Sequence, residues 1–305
     1  MSTASGVTVR AAAKINLLLG VGAPRPDGFH TLVTVYQAVS LYDDLVVDAA
    51  EDLTVDIDMA SYIDRSHLPA AGDNIVDRAA AALGAHHGRP VGGRVRIDKS
   101  VPVAGGLAGG SADGAAALVA LDRLHGLGTS DVDLLVLAAG LGSDVPFALV
   151  GGTALGEGHG ELVTPLEDPG SWWWVVVPSS DGMSTPLVYR HYDRLRPEAP
   201  PMPGPPDAIL AALASGKPQR LAEALHNDLE PAVFDLRPDL ASLVAEGVAA
   251  GALRGLVSGS GPTCVFLCES AQHARTVAGS LSAGRDQRVV LVAHGPVAGA
   301  HVVSA

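Results

Sequence analysis

Thirteen residues, Val101-Pro-Val-Ala-Gly-Gly-Leu-Ala-Gly-Gly-Ser-Ala-Asp113, constrain this chain more than any other stretch. Four glycines fall between positions 105 and 110. Before them, Val95 to Asp98 reads as a short strand. After them, Ser111 to Leu124 is rich in Ala, Leu and Val, lacks Pro and reads as a helix. Glycine lets backbone N–H groups come close to a bound anion, because no Cβ stands in the way. A helix beginning near Gly110 or Ser111 points its unpaired N–H groups and positive dipole end at the same place. A hinge or tight turn would also use the glycines, but a helix starting at once behind them favours a phosphate site. No Lys-Ser or Lys-Thr follows the glycines, and the spacing is not Gly-x-Gly-x-x-Gly, so two common nucleotide loops are excluded.

Charge decides how such a site must be built. Lys and Arg total 20 against 33 Asp and Glu, for a net charge of −13. With no basic tail or stripe, this argues against a chain held mainly by the phosphate backbone of DNA or RNA. Any phosphate site is local, made of backbone N–H groups and one or two placed cations. The 305 residues predict two domains. At 48% hydrophobic and 17% charged, they can bury a sizeable core. No uncharged apolar run reaches the ~18 residues of a membrane helix, and Met1 to Arg10 does not read as a signal peptide. Cys264 and Cys268, four apart on a strand, lie roughly 13 Å apart, too far for a disulfide. Two buried thiols suit a reducing cytoplasm.

Strand patterns run over Val7 to Ala13 and on to Leu19, then Thr31 to Val39, Asp44 to Asp48 and Leu53 to Ile57. Asp73 to Leu83 has helical spacing with Asp73 as a cap, and Ser130 to Ala139 a helix capped by Ser130 with Asp133 three residues on. Later come an apolar strand, Trp172 to Val177, and helices over 206–214, 218–225 and 240–250. Gly255 to Leu267 reads strand, turn, strand; a helix over 271–281 and a strand over 288–293 follow. Six prolines in Arg196 to Pro206 predict a surface loop. Strand and helix alternate in both halves, as in an α+β or α/β protein. The boundary is expected near residue 165, dividing the chain into 1–165 and 166–305.

Four further segments carry chemistry. The chain has only three lysines, Lys14, Lys99 and Lys217, against seventeen arginines. Lysine is therefore reserved for roles a flat guanidinium does not fill. Lys14, on the first strand in Ala13-Lys-Ile-Asn-Leu17, is either such a group or a snorkelling surface cation. Asp144 in Gly142-Ser-Asp-Val-Pro146 follows a helix and is either a cap or a reactive carboxylate. Phe29 and His30 end the turn that starts at Arg25, where they could stack on and hydrogen-bond a planar ring, or simply be a core Phe beside an exposed His. Ser258-Gly-Ser-Gly-Pro262 is a hairpin turn, or backbone laid against a ligand.

Taken together and in this order, Ala13 to Leu17, Pro102 to Ala112 and Ser258 to Pro262 resemble the three motifs of the GHMP kinase superfamily. The resemblance implies an α+β, two-domain GHMP kinase fold. Its ATP-binding N-terminal domain is like domain 2 of ribosomal protein S5, and its substrate-binding C-terminal domain is ferredoxin-like. It implies transfer of a phosphoryl group from ATP to a hydroxyl of a small alcohol that carries a cytidine diphosphate, in isoprenoid precursor synthesis. Asp144 matches the base of such kinases and Lys14 the cation that orients it. The loop Pro102, Val103, Ala104, Gly105, Gly106, Leu107, Ala108, Gly109, Gly110, Ser111 and Ala112 matches the ATP phosphate site. Asn74 and Lys99 match further nucleotide contacts. Asn16, Phe29, His30, Thr185 and Tyr189 match the pocket for the second substrate, with two aromatics to stack on its base. The chain departs from the pattern in having Phe at 29 where Tyr is common, and Ala108 and Ala112 where Gly and Ser are. Mg²⁺ is expected to arrive with ATP, held by phosphates and water, since no obvious carboxylate cluster or protein metal site is visible. The alternatives are a kinase for homoserine or mevalonate, and a silent nucleotide-binding sensor.

Overall fold

The computed structural model describes residues 6–63, 74–103, 105–179, 181–285 and 287–304. In chain order the elements are β1 (Val7–Pro24), β2 (His30–Asp48), β3 (Leu53–Met59), α1 (Ile75–His87), β4 (Gly93–Lys99), α2 (Gly109–His125), α3 (Asp131–Leu141), α4 (Val145–Val150), β5 (Thr153–Glu157) and β6 (Leu162–Leu166). Then come β7 (Trp172–Val177), α5 (Thr185–Leu195), α6 (Asp207–Ala214), α7 (Pro218–Ala224), β8 (His226–Asn227), α8 (Glu230–Leu236), α9 (Pro238–Ala249), β9 (Arg254–Val257), β10 (Cys264–Cys268), α10 (Ala271–Ser282), β11 (Leu291–Gly295) and β12 (His301–Ser304).

β1 and β2 form one long antiparallel hairpin, where the sequence suggests two separate strands over 31–48. The apparent break is absorbed by a register shift between Ala12 and Ala13, and a second shift follows Asn16. Such bulges re-aim side chains without ending a strand. Around this hairpin the first sheet is built in the order β12-β1-β2-β4-β3, with β5 and β6 added on β2 and β8 on β1. Helices α1 to α4 cover one face. Their Ala-rich packing lets Ala115, Ala116, Ala117, Leu118 and Leu121 of α2 reach Val9, Leu45, Val95 and Ile97 of the sheet in one buried cluster. At the start of α1 the cap is Asn74, whose side chain accepts from Val76 N while Asp77 closes a capping box. Asp73, the expected cap, lies outside the described residues.

The second sheet is antiparallel, in the order β11-β7-β10-β9. Numbered within this half, that is fourth, first, third, second, the ferredoxin-like arrangement. The run Trp172 to Val177 is apolar throughout because both faces of β7 are buried. Trp172, Trp174 and Val176 pack toward Ile15, Leu17 and Val35 of the first sheet, while Val175 and Val177 join the cluster beneath α5 and α8 to α10. The indole N–H groups are satisfied: Trp172 donates to Asp168 at 2.9 Å and Trp174 to Gln37 at 2.9 Å. The halves thus share an apolar seam.

The stretch between Leu162 and Trp172 carries the chain from β6 in the first sheet to β7 in the second. Sequence order and space do not divide in the same place, since β8 and β12, both late in the chain, belong to the first sheet. The proline-rich segment is a loop whose Pro200 carbonyl accepts from Ala23 N at 2.8 Å, extending the end of β1. Cys264 and Cys268 are free and buried, and burial pushes both thiols up to about 12.

Candidate active site

One cleft of roughly 560 Å³ gathers residues from both halves. On its floor is Lys14, in the middle of β1 and 6% exposed. Residues 14 and 16 share a strand face, so the Lys14 ammonium donates to Asn16 Oδ1 at 2.7 Å. Asn16 Nδ2 donates to Thr34 Oγ1 at 2.8 Å, and Thr34 donates to the Leu18 carbonyl at 2.6 Å. That carbonyl sits at the bulge after Asn16, so Thr34 supplies it with a donor. The chain of bonds fixes the ammonium, which lies 5.6 Å from the centre of the Tyr36 ring. Burial, reinforced by the charge of Asp144, raises the Tyr36 phenol well above its ordinary value, so it stays protonated.

Asp144 faces Lys14 across the cleft, its Oδ2 3.8 Å from Nζ. It stands at the N-cap of α4, yet its side chain makes no capping bond, which leaves the carboxylate to the cleft. The apolar run after Asp144 is this short helix, entered through Pro146. The two side chains thus face each other in the cleft, and Lys14 is buried and not a snorkelling surface cation.

Beside them lies the start of α2. Its N-cap is Ala108, at φ 56 and ψ 34, and no side chain caps the helix. The first intrahelical bond is Ala112 N to the Ala108 carbonyl at 2.9 Å. The N–H groups of Gly109, Gly110 and Ser111 are the unpaired donors of the first turn, and all three residues line the cleft. The loop is pinned from two sides. Lys14 N donates to the Leu107 carbonyl at 3.0 Å, and Ser258 Oγ to the Gly106 carbonyl at 3.0 Å. Gly106, at φ +78, passes so close to the Ser258 carbonyl that a Cβ would run into it. In the same turn Gly259, at φ +58, brings its backbone close to the Asn16 and Lys14 side chains, and Ser260 Oγ bonds Thr185 Oγ1 at 2.8 Å. The Gly-Ser-Gly turn is therefore part of the cleft and more than a hairpin.

Gly106→Ala is expected to weaken ATP binding roughly tenfold while the fold persists. The residue would carry strain of about 1–3 kcal/mol, relieved only by moving the loop off the turn. Calorimetry finding wild-type ATP affinity would mean the loop is a hinge after all.

The far end of the cleft is aromatic. Phe29 is 55% exposed, and its ring lies 5.3 Å from that of His159. His30 is buried, with Nε2 2.8 Å from Asp193 Oδ1, and its ring lies 4.8 Å from Tyr189. The duller expectation had this pair the other way round, with the Phe in the core and the His outside. Burial, then the Asp144 charge, raises the Tyr189 phenol, so it too stays protonated.

Not every expected residue reaches the cleft. Lys99 is 2% exposed and is held by Asp43 at 2.7 Å and Asp113 at 2.6 Å. Asp43 also accepts from Ser100 N and Val101 N, so this buried triad anchors the strand-to-loop junction and does not offer its charge to a nucleotide. Asn74 is nine-tenths buried and serves as the α1 cap. Pro102, Leu107 and Ala112 are buried and Val103 half-buried, none of them lining the cleft. Ala104 lies outside the described residues. Gly105, Gly106, Ala108, Gly109, Gly110, Ser111, Asn16, Phe29, His30, Thr185 and Tyr189 do line it. Sequence reasoning missed Tyr36, Ser143, His159 and Met183. His159 Nδ1 bonds Ser143 Oγ at 2.8 Å, a partner sixteen positions away that no local pattern signals.

Among the described residues no three His, Cys, Asp or Glu side chains come together as a metal site. Nor is any helix there long and apolar enough to cross a membrane.

Comparison with known proteins adds independent support. The family description "GHMP kinases N terminal domain" matches residues 74–152, and "GHMP kinases C terminal" matches 209–285. The chain is 65% identical over 296 residues to a 4-diphosphocytidyl-2-C-methyl-D-erythritol kinase of Nocardioides, covering 97% of this chain and 99% of that one. It resembles the crystal structure of a 4-(cytidine 5'-diphospho)-2C-methyl-D-erythritol kinase with TM-score 0.76 and 34% identity, over 94% and 98% of the two chains. A homoserine kinase of Cytophaga hutchinsonii matches at TM-score 0.74 but 21% identity, over 99% of each chain, which speaks for the fold alone. With both family domains matched in order, and a relative so similar along nearly its whole length, this chain belongs to the GHMP kinases.

Proposed function

We propose that this chain transfers the γ-phosphoryl group of ATP to the 2-hydroxyl of 4-diphosphocytidyl-2-C-methyl-D-erythritol, giving the 2-phosphate and ADP on the non-mevalonate route to isoprenoid precursors. The observation that carries the reading is the Lys14–Asp144 pair, set between the uncapped start of α2 and a pocket made by Phe29, His30 and Tyr189. One cleft thus offers an anion site, a base with its cation, and a flat aromatic pocket, side by side.

Phosphoryl transfer asks mainly for positioning and electrostatics. The N–H groups at the start of α2 hold phosphate oxygens. Asp144 takes the proton of the attacking hydroxyl as its oxygen bonds to the γ-phosphorus and ADP leaves. Lys14 orients Asp144 and offsets charge on the phosphoryl group in transit; Asn16 and Thr34 hold Lys14. Oxygen donors at the loop are few, Asp144 and the Ser111 hydroxyl. That suits a Mg²⁺ brought by ATP, which keeps phosphate and water ligands and neutralises phosphate charge when bound. Phe29 and Tyr189 flank a cytosine ring, and His30 meets its polar edge. ATP as donor and two free buried thiols suit the cytoplasm.

The test is ADP release with a panel of alcohols. The cytidine-diphospho alcohol is expected to be phosphorylated, and homoserine and mevalonate not. The uridine analogue swaps an exocyclic amine for a carbonyl and leaves a polar partner unmatched, costing about 1–3 kcal/mol, or roughly 5- to 150-fold in kcat/KM. Equal use of homoserine would overturn the reading.

A further inference from the structure

We infer that Asp193 is a specificity-determining residue: it fixes the tautomer of His30 so that the ring offers the cleft a lone pair, which selects a base with an exocyclic amine. The inference deepens the function proposed above and rests on it.

The geometry is set by α5. Tyr189 and Asp193 are four residues apart on that helix and so share a face. That face meets His30 at the start of β2. The Tyr189 ring packs 4.8 Å from the imidazole, and Asp193 Oδ1 lies 2.8 Å from Nε2. Tyr192 closes a third side, edge-on at 6.3 Å, and its hydroxyl is committed to the Val21 carbonyl. The ring is buried and cannot turn freely.

An ionised carboxylate only accepts, so the proton on Nε2 must belong to His30. In the neutral ring that makes Nδ1 the acceptor. Among the described residues nothing donates to Nδ1, and His30 lines the cleft. A lone pair there accepts from the amine of cytosine. It meets the carbonyl of uracil as acceptor against acceptor. Selectivity between the two bases is thus written on a helix of the second half, through a residue that need not touch the base.

The experiment compares kcat/KM for the cytidine and uridine forms of the alcohol substrate in the wild type, Asp193→Asn and Asp193→Glu, with the imidazole nitrogens followed by ¹⁵N NMR. Asn can donate to Nε2 and let the proton sit on Nδ1. Asp193→Asn is expected to lower the cytidine-to-uridine ratio about tenfold or more, with KM for ATP unchanged, and Asp193→Glu to keep the ratio. The wild-type spectrum is expected to show the proton on Nε2 alone. A proton on Nδ1 in the wild type, or an unchanged ratio in Asp193→Asn, would overturn the inference. KM for ATP also reports whether a variant has merely misfolded, in which case Asp193→Glu and the wild-type spectrum decide. Wild-type enzyme indifferent to the base would sink the proposed substrate instead, and the spectrum would still settle the tautomer.

Discussion

Replacing Asp144 by Asn is expected to lower turnover by a factor of about 10² to 10⁴, the usual worth of a positioned general base. ATP affinity is expected to change little. The variant keeps the shape of the side chain and removes both the proton acceptor and the charge that faces Lys14 at 3.8 Å. Because the Asp144 side chain caps no helix N–H, α4 loses nothing by the change. The effect therefore falls on kcat and not on stability. Steady-state kinetics with near-normal turnover would take Asp144 out of the reaction.

Lys99→Met should cost about 3–5 kcal/mol of stability, since removing one partner of a buried ion pair leaves charge uncompensated. Here Asp43 and Asp113 would be left in the interior without the cation they share. The wild type already shows the tension. Burial pushes the Asp113 carboxyl up to about 8, against the pull of the Lys99 ammonium, and its Oδ1 has no hydrogen-bond partner. Burial also works against the Lys99 charge, but the two aspartates outweigh it and its pKa is raised. An acid whose folded value is raised holds its proton more tightly in the folded chain. Asp113 thus favours folding at low pH, and that contribution is lost as the pH climbs from about 4 toward about 8. Asp113→Asn removes the titrating group and is expected to abolish that fall. Urea unfolding followed by tryptophan fluorescence measures both. A loss under about 1 kcal/mol in Lys99→Met, with ATP affinity collapsing, would return Lys99 to the nucleotide site.

What the sequence made legible was local or periodic. The glycine-rich loop with its helix, the cap at Ser130 and the apolar strand over 172–177 all announce themselves in a few adjacent residues. Lys14 stood out because lysine is rare in this chain. The short helix after Asp144 was invisible because six residues give no period to read, and β8 has only two. The burial of Lys99 was illegible for a different reason. Its partners are 56 positions before and 14 after it, and no spacing rule links them. The same holds for His30 and Asp193, 163 positions apart. Burial of a charge is a property of the folded core, and a single sequence does not carry it.

The pairing of β12 with β1 has a consequence for how the molecule is made. Strand β1 is made well before β12, yet Val9 and Arg10 pair with Val302 and His301. Until residues 301–304 have been synthesised, that edge of the first sheet is bare, with unpaired N–H and C=O groups free to join another chain. The N-terminal half of this kinase therefore cannot finish folding co-translationally in the usual vectorial order. It waits for residues 301–304 to close that edge.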